Sequence, residues 1–210
     1  MNLPNALTVG RIAATPLIAW LPFASSWTLR LIAFVLFTVA AITDYIDGRL
    51  ARSRKQETDL GRLLDPLADK LLLVGTLVPM YFLAPVFPFL TPIGPIGLPL
   101  WIVVVVLGRE VFMTVFRQAA KRRGVVIAAI GAAKWKTGMQ LLWQGCAYCW
   151  FFAVTLAAAK GWNNEYWHAF AEFNGSVGTL SMLAAVLLTV YSLALYLRSF
   201  GNVFAASPSR

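Results

Sequence analysis

The sequence predicts an all-α integral membrane protein carried on six transmembrane helices, and three observations predict it. Of 210 residues, 59% are hydrophobic and 13% charged, with a mean hydropathy of +0.70, proportions that belong to membrane chains rather than water-soluble domains. Apolar stretches long enough to cross a bilayer recur six times, with short polar or proline-rich segments between them. Basic residues gather in alternate connections, the bias that orients a chain in a bilayer. The net charge of +9 would suggest nucleic acid in a soluble protein. Here it reads as that topological bias together with attraction to anionic lipid and phosphate groups, with no nucleic-acid partner.

The first apolar run continues to about residue 23 and has no basic leader ahead of it, which makes a poor cleavable signal; an uncleaved helix is expected, its early turns near the interface. Ser25-Ser26 turns the chain into a second span, about 28–52, and a third follows at about 58–83. Pro66 suits the first turn of that third helix, where a missing N–H costs nothing; if the helix starts earlier, Pro66 frees a carbonyl instead. The segment 85–99 holds five Pro and two Gly without charge and is expected to be a loop. A fourth span at about 99–123 carries Arg109, Glu110 and Arg117. Ten apolar residues before Arg109 cover only about 15 Å of helix, so this Arg needs a partner or a wet cavity. The fifth span is expected at about 129–159, a polar stretch at 160–175, the sixth span at 177–197, and a short tail to Arg210.

Between the second and third spans the sequence reads Asp44-Tyr-Ile-Asp47-Gly48-Arg-Leu-Ala51-Arg52, eight residues, then Gly61-Arg-Leu-Leu-Asp65-Pro-Leu-Ala-Asp69. Carboxylates are costly in an apolar chain and mark function. Asp44 and Asp47 are three apart and Asp65 and Asp69 four apart, so on helices each pair shares a face. Two such helices joined by a short basic loop could aim all four at one point. Clustered carboxylates must take up protons or be neutralised by cations, and an all-oxygen set favours hard ions over zinc. Gly48, Ala51 and Gly61 remove bulk beside the acids, and Arg52 offers a fork for phosphate. Helix capping by interfacial Asp is the structural alternative, but caps explain one acid per helix end rather than two same-face pairs.

This pattern, Asp-x-x-Asp-Gly-x-x-Ala-Arg, eight residues, Gly-x-x-x-Asp-x-x-x-Asp, resembles the signature of the CDP-alcohol phosphatidyltransferase family at every fixed position and interval. The resemblance implies one transmembrane catalytic domain over residues 1–210 that moves the phosphatidyl group of CDP-diacylglycerol to an alcohol with release of CMP. It implies two divalent ions, Mg²⁺ or Mn²⁺, on Asp44, Asp47, Asp65 and Asp69, with Asp69 also the candidate general base. Asp44, Gly48, Ala51, Arg52 and Gly61 are the implied contacts of the CDP-lipid, and a homodimer is the implied assembly. The opening Asn2-Leu-Pro-Asn5, Gly108-Arg109-Glu110, Arg117 and Lys134-Trp-Lys136-Thr137 are similar to the phosphatidylglycerophosphate synthase branch. There Arg109, Arg117, Lys134 and Lys136 would suit an acceptor that bears a phosphate, glycerol 3-phosphate. Met113-Thr-Val-Phe departs from the small-residue stretch expected before Arg117.

Six alternating spans place the 44–69 turn, the 121–123 turn and both termini on one side. Only Arg30 and Lys160 of the 18 Lys and Arg fall on the opposite side, while Lys70 and Arg109 lie within spans, so the acids are expected to face the cytoplasm from a cell (inner) membrane. A sibling enzyme accepting inositol phosphate, serine or phosphatidylglycerol would use the same acids. A cation transporter would use them as a transit site, but such folds favour inverted repeats and interrupted helices, and transport releases no CMP. Cys146 and Cys149, inside an apolar helix, read as two small buried residues rather than a redox or zinc pair. His168 is assigned no role, and Trp27, Trp101, Trp162 and Trp167 read as interfacial anchors.

Overall fold

A computed structural model describes residues 3–54, 59–125, 127 and 131–200. Six long helices make up most of it: α1 Leu3–Trp20, α2 Trp27–Arg54, α3 Asp59–Leu83, α4 Leu100–Arg122, α5 Gly131–Lys160 and α6 Glu165–Phe200. All but α4 are long and apolar enough to cross a membrane. From Leu100 onward every 18-residue stretch of α4 takes in Arg109, Glu110 and Arg117. The expected class, an all-α membrane protein, is borne out.

Two connections differ from expectation. The proline-rich segment contains an antiparallel hairpin, β1 Phe89–Thr91 and β2 Gly94–Ile96, in the register Phe89↔Ile96, Leu90↔Pro95, Thr91↔Gly94. Its two-residue turn closes on Gly94 at φ 117°, where a side chain would be strained, and the Thr91 hydroxyl donates to the Gly94 carbonyl at 2.6 Å. Pro is compatible with an edge strand, so two short edges can form where a hydropathy reading sees only breakers. The polar stretch at 160–175 is mostly helix: α6 starts at Glu165, twelve residues before the expected sixth span. Asn164 opens it by accepting the Trp167 N–H at 2.9 Å. The start of α3 at Asp59 puts Pro66 inside the helix, so its missing N–H leaves the carbonyl of residue 62 without an intrahelical donor.

The chain packs as two compact units, Met1–Leu98 with Gln144–Gly178, and Pro99–Trp143 with Thr179–Arg210. In the first, α1 packs against both α2 and α3. Close approach of α1 and α3 depends on Gly75, where a Cβ would stand 2.8 Å from the Thr15 methyl. Tyr148 of α5 is 1% exposed, and its ring stacks on Phe37 with centroids 5.3 Å apart. Its hydroxyl reaches the Ile18 carbonyl at 3.0 Å and the Gly75 carbonyl at 3.4 Å. Both carbonyls lie four residues before a proline, Pro22 and Pro79, which have no N–H to return to them. Tyr148 therefore supplies a donor where two helices lack one, as burial in hydrocarbon demands.

Arg30 lies in the second turn of α2 and is buried, rather than marking a loop. Its Nε donates to the Pro22 and Ala24 carbonyls, each at 2.9 Å, and so satisfies acceptors of the 3₁₀ turn Leu21–Phe23 that follows α1 and of its C-cap. Nη1 bonds the Thr155 hydroxyl, and the guanidinium sits 4.5 Å over the Phe87 ring. Gly175 and Gly178 bring α6 onto the hairpin: a Cβ on Gly175 would fall 1.8 Å from the Leu90 carbonyl oxygen, and one on Gly178 2.6 Å from the Phe89 ring. In the second unit, Met113, Phe116 and Tyr196 form a small apolar core against which Ile127, Leu193 and Phe200 pack.

Candidate active site

The acids of the first unit are met from one side by α1. Asn5, Thr8, Arg11 and Thr15 recur at three- and four-residue spacing, one face of a helix, and all four are buried. The Thr8 hydroxyl donates to Asp65 Oδ1 at 2.8 Å. Arg11 Nη1 bonds Asp44 Oδ1 on α2, and the same nitrogen reaches Asp69 Oδ1 on α3 at 3.0 Å. Thr8 to Asp65, Arg11 to Asp69 and Thr15 to Gly75 advance together, so α1 and α3 run in the same direction. Asp69 lies beside Asp44 and within the field of Asp65. Asp44, Asp65 and Asp69 are thus brought together on two helices, as the same-face spacing anticipates. Gly61 is buried on α3. Of Asp47, Gly48, Ala51 and Arg52 only the helical backbone of α2 is described; their side chains lie outside the described residues.

The donor set fits a hard divalent cation. It consists of carboxylates alone, with side chains 38% exposed for Asp44 and 59% for Asp69, while the Arg11 side chain beneath them is 1% exposed. Each acid is tied on its buried side and open on the other. Among the described residues no three His, Cys, Asp or Glu side chains are yet spaced to hold an ion by themselves.

The second unit gathers the expected cations. Arg109 Nη1 donates to Glu110 Oε1 at 2.8 Å, and Lys136 Nζ bonds the same oxygen. Arg109 Nη2 also reaches the Ser192 hydroxyl at 3.3 Å, while its Nε is buried without a partner among the described residues. Arg117 donates to the Tyr196 hydroxyl at 3.1 Å, stands 5.4 Å over that ring, and acts with Arg109 on the charge of Lys136. Arg109 and Lys136 are buried, whereas Arg117 and Lys134 are exposed. Of the two expectations for Arg109, a partner or a wet cavity, the described residues supply a partner in Glu110.

Sequence reasoning missed Thr8 and Arg11. The signal available was their spacing with Asn5 and Thr15, a polar stripe along an otherwise apolar helix. Cys146 and Cys149 are free, half-buried thiols, and His168 is exposed beside Asn163.

A family model described as CDP-alcohol phosphatidyltransferase matches residues 1–191. The chain is 33% identical to "CDP-diacylglycerol--glycerol-3-phosphate 3-phosphatidyltransferase 1, chloroplastic/mitochondrial" of Arabidopsis thaliana, over 97% of this chain and 64% of that protein. It is 38% identical to the Cereibacter sphaeroides protein named CDP-diacylglycerol--glycerol-3-phosphate 3-phosphatidyltransferase, over 67% of this chain and 60% of that one. A Streptomyces coelicolor protein named cardiolipin synthase (CMP-forming) is 34% identical over 59% of this chain and 54% of its own length. The chain thus spans less than two thirds of the length of the curated relatives it matches.

Proposed function

Because this chain belongs to the CDP-alcohol phosphatidyltransferase family, we propose that it transfers the phosphatidyl group of CDP-diacylglycerol to glycerol 3-phosphate, giving phosphatidylglycerophosphate and CMP. The observation that carries the choice of acceptor is the charge of the second unit. Arg109 and Lys136, both buried, share one carboxylate, Glu110, and the exposed Arg117 adds its charge near Lys136; these three cations against Glu110 leave a surplus of two positive charges, one of them buried. A buried surplus calls for an anion. The dianion of a phosphate monoester balances the whole group; an uncharged alcohol leaves both surplus charges, and a phosphodiester leaves one. Lys134, exposed at the head of α5, adds attraction at the surface.

In this reading Asp44, Asp47, Asp65 and Asp69 would hold two divalent ions, Mg²⁺ or Mn²⁺, which when bound neutralise the diphosphate and the charge developing on CMP. Gly48, Ala51 and Gly61 leave room for the nucleotide, and Arg52 contacts its phosphate. Asp69 is the candidate base: it takes the proton of the acceptor hydroxyl as that oxygen attacks the phosphorus bearing diacylglycerol and CMP departs. The two units act as one catalytic domain, a reading supported by a family match that runs through both. The basic turns support a cell (inner) membrane location with the acids and both termini cytoplasmic, and the family resemblance supports a homodimer.

Purified protein given CDP-diacylglycerol, Mg²⁺ and a panel of acceptors tests this directly. Phosphatidylglycerophosphate and CMP should form with glycerol 3-phosphate. Product formed only with phosphatidylglycerol, serine or inositol phosphate would assign a sibling reaction, and absence of CMP with every acceptor would refute the transferase.

A further inference from the structure

We infer that Arg11 and Thr8 are positioning residues for the acids, holding the carboxylates of α2 and α3 against one another before an ion arrives. The inference rests on the proposal that these acids bind divalent cations. Burial is the first support: Arg11 is 3% and Thr8 1% exposed, whereas the Asp44 and Asp69 side chains are 38% and 59% exposed. The donors lie beneath and the acids open outward, so an ion can reach the acids without displacing either donor. A single atom, Arg11 Nη1, spans Asp44 of α2 and Asp69 of α3, and so fixes one acid pair relative to the other. The third support is register: donors three apart on α1 meet acids four apart on α3, Thr8 with Asp65 and Arg11 with Asp69.

Neighbouring carboxylates repel, and without a cation between them their side chains turn apart. The guanidinium holds two of them converged, and the Thr8 hydroxyl fixes the third. Outer partners of ligating carboxylates act in this way, and their loss lowers metal affinity by about 10- to 100-fold.

Mn²⁺ binding to the full chain in detergent, read from the electron paramagnetic resonance of free Mn²⁺ without lipid substrate, tests the inference on Arg11→Met, Thr8→Val and Asp44→Asn beside the wild type. Arg11→Met should weaken Mn²⁺ binding by about 10- to 100-fold, and Thr8→Val should weaken it by less. Turnover of both variants should drop at limiting Mg²⁺ and recover at saturating Mg²⁺, with the KM for acceptor unchanged. A general packing fault would show in the helical content or elution volume of the ion-free protein. Unchanged or tighter Mn²⁺ binding in a variant that keeps its helical content and elution volume would overturn the inference. If Arg11→Met does not fold, Thr8→Val, which removes one hydroxyl at nearly constant shape, decides alone. Wild-type protein that binds no Mn²⁺, or Asp44→Asn that binds it normally, would instead remove the underlying metal assignment.

Discussion

Replacing Tyr148 by Phe deletes one oxygen and leaves the ring stacked on Phe37, so apolar burial hardly changes. What is lost is the donor shared by the Ile18 and Gly75 carbonyls. Hydrogen bonds between membrane helices are often worth well under 1 kcal/mol, because separated helices find other partners. These two carbonyls are different: Pro22 and Pro79 deny them the usual intrahelical donor whether or not α5 is packed against them. The bond should therefore approach the upper range, about 1–2 kcal/mol. For a chain of this size that corresponds to a fall in melting temperature of about 2–8 °C, read as the loss of monodisperse protein on size-exclusion chromatography after heating in detergent. KM values for both substrates should stay as in the wild type, since Tyr148 touches no acid. An unchanged melting temperature would refute the account of the proline-freed carbonyls.

Asp44→Asn should abolish Mn²⁺ binding and turnover together; normal turnover at ordinary Mg²⁺ would refute the two-ion assignment. Lys136→Ala removes a charge-assisted contact worth roughly 1.5–3 kcal/mol, so the KM for glycerol 3-phosphate should rise about ten-fold to a hundred-fold while that for CDP-diacylglycerol moves little. A change confined to the donor KM would place Lys136 on the other substrate. Gly175→Ala drives a methyl into the Leu90 backbone and should destabilise by about 1–3 kcal/mol or more, since backbone yields less than a flexible side chain; wild-type thermal stability would count against the packing of α6 on the hairpin. An impermeant thiol reagent applied to intact cells should label Pro92→Cys and spare Lys121→Cys, and the reverse pattern would invert the proposed orientation.

The long helices were legible because hydropathy is additive along the chain: the second, third, fourth and fifth observed helices start and end within about two residues of the expected spans, as closely as the fraying ends of a helix can be defined. The early start of α6 was hidden because Tyr166, Trp167 and Phe170 alternate with polar residues, which lowers mean hydropathy without disfavouring a helix. The hairpin was hidden because its pairing lies in backbone groups that composition does not report. Asp65 and Asp69 could be set on one face by counting, and the need of Arg109 for a partner or a wet cavity followed from depth, though not the identity of that partner. Arg11 could not be read in this way. Its meaning depends on α1 lying along α3 and beside Asp44 of α2, contacts between residues 33 and 58 positions apart.

Those separations have a consequence for how the chain is made. Arg11 lies within an 18-residue helix that enters the bilayer before either carboxylate partner has been synthesised. At roughly 5–20 residues per second, the 58 residues to Asp69 take about 3–12 s. Until Asp44 is made, 33 residues after Arg11, an arginine inside α1 has neither acid to pair with, and until Asp69 is made it has only one, a costly arrangement at membrane depth. Stable insertion of α1 is thereby coupled to the arrival of α2 and then α3, and a ribosome stalled before Asp44 would present an uncompensated arginine to the insertion machinery and to quality control.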